Sequence, residues 1–193
     1  MKINVPGAEL VYDAEFLTRE ESDQLLAELV RDVPWEQRDV VVHGKTWPQP
    51  RLTAWYGPAA YTYSGLTLDP HPLTPAMQKL QERIEAITDT RYNSLLLNRY
   101  VAGKNHGIGA HADNEKELGR DPIIAMVSLG EERALRFEPA RWNTQGQPFS
   151  VPCAHGSLTI MGKGTQRNWR HGVPKAVGRR DRVTLTFRSI QVG

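Results

Sequence analysis

The chain has 193 residues, 39% of them hydrophobic and 24% charged, with a formal net charge of +2 and a single cysteine. Such a length excludes two large domains and suffices for a real core without disulfide or metal staples, while the lone Cys153 excludes an internal disulfide and a thiolate zinc cluster. No apolar run approaches the ~18 residues that span a bilayer, and the opening MKINVPGAELVYDAEF lacks the basic head and apolar stretch of a secretory signal. The expectation is a single domain over residues 1–193, monomeric, cytoplasmic and free of membrane.

In chain order, residues 18–31 (TREESDQLLAELVR) read as a helix. Thr18 and Glu21 form a capping box, and Leu25, Leu26 and Leu29 share one face. A second helix is predicted over 74–87, with Thr74 as cap, Pro75 in the first turn and Met77, Leu80, Ile84 and Ile87 as its apolar stripe. Beyond it the chain reads as strands separated by Gly, Pro and Asn, over 95–101, 123–129, 134–137, 156–161 and 182–190. Helices followed by many short strands predict a sandwich or jelly roll with the helices outside.

The last strand, RVTLTFR, puts Arg182, Thr184, Thr186 and Arg188 on one face and Val183, Leu185 and Phe187 on the other. Guanidinium groups do not shed water without anionic partners. Either this is an edge strand with its arginines in solvent, or the polar face holds acids. Charge is also uneven along the chain. Residues 1–132 carry 13 Lys and Arg against 20 Asp and Glu, and residues 133–193 carry 11 against 2. A basic final third suits either a solvated surface or a polyanionic partner.

If the segment GAHADNE is extended, His111 and Asp113 project to one side of it, the spacing of two ligands on one metal. Alone, such a pair is expected by chance about 0.7 times in a chain of this composition. His171, 60 positions later in NWRHGVP, completes two His and one carboxylate, a set that binds Fe(II) with open coordination positions. The same set serves catalytic zinc, and histidines also occur as hydrogen-bonded core residues. In LLLNRYV, Asn98 and Tyr100 share a face and Leu95, Leu97 and Arg99 the opposite one. Asn98, Tyr100 and a guanidinium fork would suit a carboxylate-bearing co-substrate.

Taken together, N-x-Y at Asn98 and Tyr100, H-x-D-x-E at His111, Asp113 and Glu115, PIIAMVSLG at 122–130, HGSLTIM at 155–161, His171 and the Arg182/Arg188 pair resemble the AlkB family of Fe(II)- and 2-oxoglutarate-dependent dioxygenases. PRLTAWYG from Pro50 and YTYSGLTL from Tyr61 resemble its DNA alkylation-repair subgroup. The resemblance implies a mainly β protein with flanking helices, a double-stranded β-helix (jelly roll). Residues 1–93 would supply N-terminal helices and a nucleotide-recognition lid, and residues 94–193 the core.

It further implies that His111, Asp113 and His171 bind Fe(II). Arg182 would grip the distal carboxylate of 2-oxoglutarate, assisted by Asn98 and Tyr100, with Thr184 beside it. Arg188 would brace Asp113. The implied reaction consumes O2 and 2-oxoglutarate and demethylates bases of the N1-methyladenine and N3-methylcytosine type in DNA, releasing succinate, CO2 and formaldehyde.

Such bases are cationic, so Glu115 and Asp113 with an aromatic face would favour them. Tyr63 would stack on the base opposite His111, with Trp55 and Tyr56 nearby. VVVHGK matches the family's finger hairpin, with Val40, Val42 and His43 at its tip, and reads equally as an ordinary strand. The loop 162–181 carries Lys163, Arg167, Arg170, Lys175, Arg179 and Arg180 as phosphate-binding candidates. Two other readings stay open at this point: an oxygenase of the same kind acting on RNA, a protein or a small molecule, and a non-catalytic nucleic-acid binder.

Overall fold

The computed structural model describes residues 1–42, 44–57, 61–63, 66–68 and 70–191, giving the backbone alone for 41, 42, 61–63 and 66–68. The elements in chain order are β1 (Lys2–Val5), β2 (Ala8–Asp13), α1 (Arg19–Asp32), β3 (Asp39–Val42), β4 (Lys45–Pro48), β5 (Leu52–Tyr56), β6 (Tyr61–Tyr63), β7 (Leu66–Leu68) and α2 (Pro75–Thr88). They continue with β8 (Ser94–Tyr100), β9 (Asn105–His111), β10 (Ile124–Gly130), β11 (Arg133–Pro139), β12 (Phe149–Cys153), β13 (Ser157–Met161), α3 (Thr165–Asn168), β14 (Trp169–Val177) and β15 (Arg182–Arg188).

Both long helices start where the sequence places their caps. Thr18 accepts from the backbone N–H of Glu21 while the Glu21 carboxylate accepts from that of Thr18, and Thr74 accepts from Met77. Leu25 and Leu29 of α1 and Met77, Leu80 and Ile84 of α2 are buried. Ile87 departs from the predicted stripe. It lies in the last turn and is 55% exposed, whereas Glu85 is the side chain that turns inward, accepting from the Tyr92 backbone N–H and pairing with Arg91.

The strands form a seven-stranded sheet in the order β1-β2-β13-β10-β15-β8-β5 and a four-stranded sheet in the order β12-β11-β14-β9. Two hairpins, β3-β4 and β6-β7, stand apart from them. Alternation explains the layering. Val183, Leu185 and Phe187 of β15 face a core shared with α1 and α2, so the helices cover one side of the large sheet. The other side faces the small sheet across a second core that includes Met126, Phe137, Cys153, Met161 and Trp169. Burying a side chain such as Phe187 contributes roughly 1.5–3 kcal/mol.

β15 is not an edge strand. It pairs with β10 on one side and β8 on the other, and all of its residues are buried. Interior position therefore forces the polar-face arginines out of water, and only the acid-holding alternative survives for Arg188. The chain after α2 is also not all strand, because α3 and a 3₁₀ turn at Lys116–Leu118 interrupt it. Arg99, expected on an apolar face, is accommodated there by an ion pair with Asp181, 2.5 Å away.

Candidate active site

Register brings the distant motifs together. Antiparallel pairing of β14 with β9 sets His171 opposite His111, and pairing of β15 with β8 sets Arg182 opposite Tyr100 and Thr184 opposite Asn98. Gly172 makes the first approach possible. A Cβ there would lie 2.7 Å from the carbonyl oxygen of Ile108 and 2.9 Å from backbone atoms of Gly109. With glycine in place, and a register shift just beyond, the two imidazole centroids are 4.6 Å apart.

One ligand atom each from His111, Asp113 and His171 lies within 4.8 Å of the others. Nδ1 of His111 is 2.9 Å from the carbonyl oxygen of Gly109. A carbonyl only accepts, so in the neutral ring the proton belongs on Nδ1 and the lone pair on Nε2. The Nε2 atom is 3.7 Å from Oδ1 of Asp113. The other oxygen of Asp113, Oδ2, accepts from Nη2 and Nε of Arg188 at 2.9 and 3.2 Å, and Gln166 Oε1 accepts the Asp113 backbone N–H at 2.9 Å.

Burial alone would raise the Asp113 pKa, but the Arg188 guanidinium and the two imidazoles outweigh it and hold the carboxyl at about 2. Burial, reinforced by His111, lowers His171 to about 3. At neutral pH the cluster is thus a carboxylate beside a neutral His171, both in the protonation state that binds metal. The buried Nδ1 of His171 has no hydrogen-bond partner among the described residues, a cost relieved by a ligand. Two nitrogens and one carboxylate oxygen, with no thiolate, fit Fe(II).

A narrow cavity between the sheets joins this cluster to Leu96, Asn98, Tyr100, Thr184, Thr186 and Arg188. Arg182 is 1% exposed and donates to the carbonyls of Cys153 and Glu131 and to the hydroxyl of Ser128. Among the described residues no carboxylate lies within ion-pair distance of it, and its Nε is unpaired. The Tyr100 phenol is raised by burial, against the pull of Arg51, Arg182 and Arg133, and so remains a donor. Glu115, half-buried, has its pKa raised by burial and by Asp113, and its Oε2 has no partner among the described residues.

Arg51, which the sequence motifs do not single out, is 6% exposed in the same cavity, and its Nε donates to Oδ1 of Asn98 at 2.8 Å. Because arginine has no acceptor, this bond fixes the orientation of the Asn98 amide. Its Nδ2 therefore points the other way, 3.5 Å from the Thr184 hydroxyl. The only sequence signal was Arg51's place in PRLTAWYG, and its partner lies 47 positions later.

Tyr56 was expected beside the substrate, but alternation along β5 sends it into the helix-side core, with its ring 5.6 Å from that of His71. Trp55 points to the opposite side of β5 from Tyr56, where it is 2% exposed and packs on Leu96 and Ile190. The side chains of Tyr63 and Val42, and all of His43, lie outside the described residues; the backbone places Tyr63 in β6 and Val42 in β3.

Fold and site together define a jelly-roll oxygenase of the facial-triad type. The 2OG-Fe(II) oxygenase superfamily model matches residues 9–188, and the chain belongs to that superfamily, whose cofactors are Fe(II), 2-oxoglutarate and O2. The chain is 42% identical over 183 residues to human alpha-ketoglutarate-dependent dioxygenase alkB homolog 3, an alignment covering 91% of this chain and 64% of that protein. It thus spans under two thirds of that relative's length. It is 36% identical to human DNA oxidative demethylase ALKBH2, covering 97% of this chain and 76% of that one. Among solved structures, OsALKBH1 superposes with a TM-score of 0.67 at 16% identity, covering 97% and 100% of the two chains. A Trichoplax adhaerens prolyl hydroxylase superposes with a TM-score of 0.64 at 14% identity, covering 93% and 83%.

Proposed function

We propose that the protein is an oxidative demethylase of alkylated nucleic acid, acting on DNA bases of the N1-methyladenine and N3-methylcytosine type. One observation carries the reading. On a single face of β15, Arg188 is matched by Asp113 of the ligand cluster, whereas Arg182, still more deeply buried, is met by no acid among the described residues. A small dicarboxylate spanning from the metal to Arg182 supplies the missing charge. The nucleic-acid substrate is supported by the relatives whose names describe alkB homologues and DNA oxidative demethylases.

In this reading His111, Asp113 and His171 hold Fe(II). Arg182 takes the distal carboxylate of 2-oxoglutarate, and Tyr100 and the Asn98 amide donate to the co-substrate beside Thr184. Bound iron with 2-oxoglutarate and O2 supplies the oxidising equivalent that hydroxylates the methyl carbon on the base nitrogen, whose hemiaminal then releases formaldehyde. Arg188 keeps Asp113 ionised and fixed. Glu115, when ionised, favours a cationic base over a neutral one. Tyr63 would stack on the flipped base, Trp55 backs Leu96 of the cavity, and Val42 and His43 would belong to a finger that fills the vacated stack.

Mass spectrometry of methylated DNA and RNA oligonucleotides after incubation with the protein, Fe(II) and 2-oxoglutarate tests this directly. Methyl loss from DNA is expected, and none with His111→Ala. Turnover of RNA alone would move the substrate to the other nucleic acid, and turnover of neither would refute the proposal.

A further inference from the structure

A second feature near the site lies outside the inter-sheet cavity. It is a groove of about 530 Å³ walled by the loop before β10, the turn between β11 and β12, and the α3–β14 segment. Arg120, Arg141, Arg167 and Arg170 line it, and the acid on its wall outside the metal cluster is Asp121. That carboxylate is 4.0 Å from both Arg120 and Arg167 and also accepts from the Gly164 backbone N–H. Asp113, whose charge is already taken by Arg188, lines both this groove and the inter-sheet cavity. Positive charge therefore prevails along a trough that opens beside the metal-binding cluster, and Arg170 donates to the carbonyl of Ala110, next to His111.

Trp142 stands on the wall of this groove at 68% exposure. A ring so exposed presents its π-face to solvent or to a ligand. The turn that carries it is held rather than loose. The Ala140 N–H donates to the Asn168 carbonyl at 2.9 Å, the Asn143 N–H to the Ala140 carbonyl at 2.9 Å, and the Asn143 side chain to Asn168 at 3.2 Å. A pre-positioned aromatic face among guanidiniums is the arrangement that tracks single-stranded nucleic acid, with cations on phosphates and a ring beneath a base.

We infer that this groove carries the nucleotides flanking the target base of a single strand, with Arg141, Arg167 and Arg170 on phosphates and Trp142 as a stacking platform. The inference rests on the proposed nucleic-acid activity and assigns a path to the strand. A single strand is required because a stacking platform needs a base free of its duplex neighbours.

Fluorescence anisotropy of a short labelled, unmethylated single strand, made as DNA and as RNA and titrated with the full chain over a series of NaCl concentrations, tests it. Trp142→Ala is expected to raise Kd about tenfold with the salt slope unchanged, and Trp142→Phe to retain most of the affinity. Arg141→Ala is expected to weaken binding and lower the salt slope by about 1. Thermal melting of each variant guards against a folding defect. Loss of affinity for either sugar supports the groove. Variants that bind both strands as the wild type does, or Trp142→Phe failing as badly as Trp142→Ala, would overturn it. A wild type that binds strands but demethylates none would defeat only the functional proposal, and one that demethylates while the groove variants bind normally would defeat only this inference.

Discussion

Arg188 gives its charge to Asp113 at 2.9 Å, while among the described residues Arg182 reaches the carbonyls of Glu131 and Cys153 and the hydroxyl of Ser128 and no acid. Charge-assisted bonds are worth roughly 1.5–3 kcal/mol each, and about 1.4 kcal/mol is tenfold in affinity. Replacing Arg182 by Met should therefore weaken 2-oxoglutarate binding by at least ~10-fold in anaerobic titrations of the Fe(II) protein. Arg51 acts one bond further out, by orienting Asn98. Arg51→Met should weaken 2-oxoglutarate about fivefold, the ~1 kcal/mol that a misoriented Asn98 amide forfeits as part of one hydrogen bond, and Arg51→Lys should recover part of it. Equal losses for Met and Lys, or none, would argue against an orienting role.

The same cluster sets the acid limit of the metal-free fold. His171 is depressed to about 3 from an ordinary 6.5, so below pH 6.5 the unfolded chain takes up a proton that the native state refuses. Stability then falls as pH drops from 6.5 towards 3. Asp113, held at about 2, stabilises the fold above its ordinary 3.8, and that contribution is lost as pH falls from 3.8 towards 2. Both slopes have one sign. Urea melts of the metal-free protein between neutral pH and pH 4 should show stability declining with acid, and His171→Gln should flatten the decline. A flat wild-type profile would contradict the buried neutral imidazole.

At the scale of elements, how much was legible depended on how local the determining contact was. Thr18 and Glu21 cap α1 within one turn, so its start could be read directly. The alternation of β15 was equally plain, but whether its arginine face met water depended on β8 and β10 arriving from elsewhere in the chain. Period alone does not carry that information. β9 and β14, which bring His111 to His171, gave no strand signal because Gly107, Gly109, Gly172 and Pro174 break their alternation. Yet two of those glycines permit the close crossing. Gly172→Ala should push β14 from β9 and reduce Fe(II) affinity by at least ~10-fold, while α1 and α2, packed on the other sheet face, keep their helical signal in circular dichroism. Unchanged metal affinity would show that the imidazole spacing does not depend on that approach. Ile87, in the last turn of α2, is exposed because the helix ends before a neighbour covers it, and Glu85 is buried in its stead.

For the molecule as a whole, one sheet serves two cores. Its outer face is sealed by α1 and α2, and its inner face, carrying Asn98, Tyr100, Arg182 and Arg188, looks onto the small sheet, whose β9 and β14 bring His111 and His171. Rigidity on the helix side thus supports geometry on the other. Phe187→Ala, a fully buried large-to-small change between Thr186 and Arg188, should cost about 3–5 kcal/mol in urea unfolding. The uneven charge of the chain also resolves into parts: Arg182 and Arg188 of the basic third are buried at the site, whereas Arg141, Arg167 and Arg170 line an open groove.

In the proposed enzyme the facial cluster and Arg182, which meets no acid among the described residues, work as one oxidative site. Its most direct test is to measure formaldehyde and succinate together, from a methylated single strand supplied with Fe(II), O2 and 2-oxoglutarate. The two products should appear in equimolar amounts with the wild type, and neither should form above background with His171→Ala. Succinate without formaldehyde, or demethylation that survives His171→Ala, would contradict it.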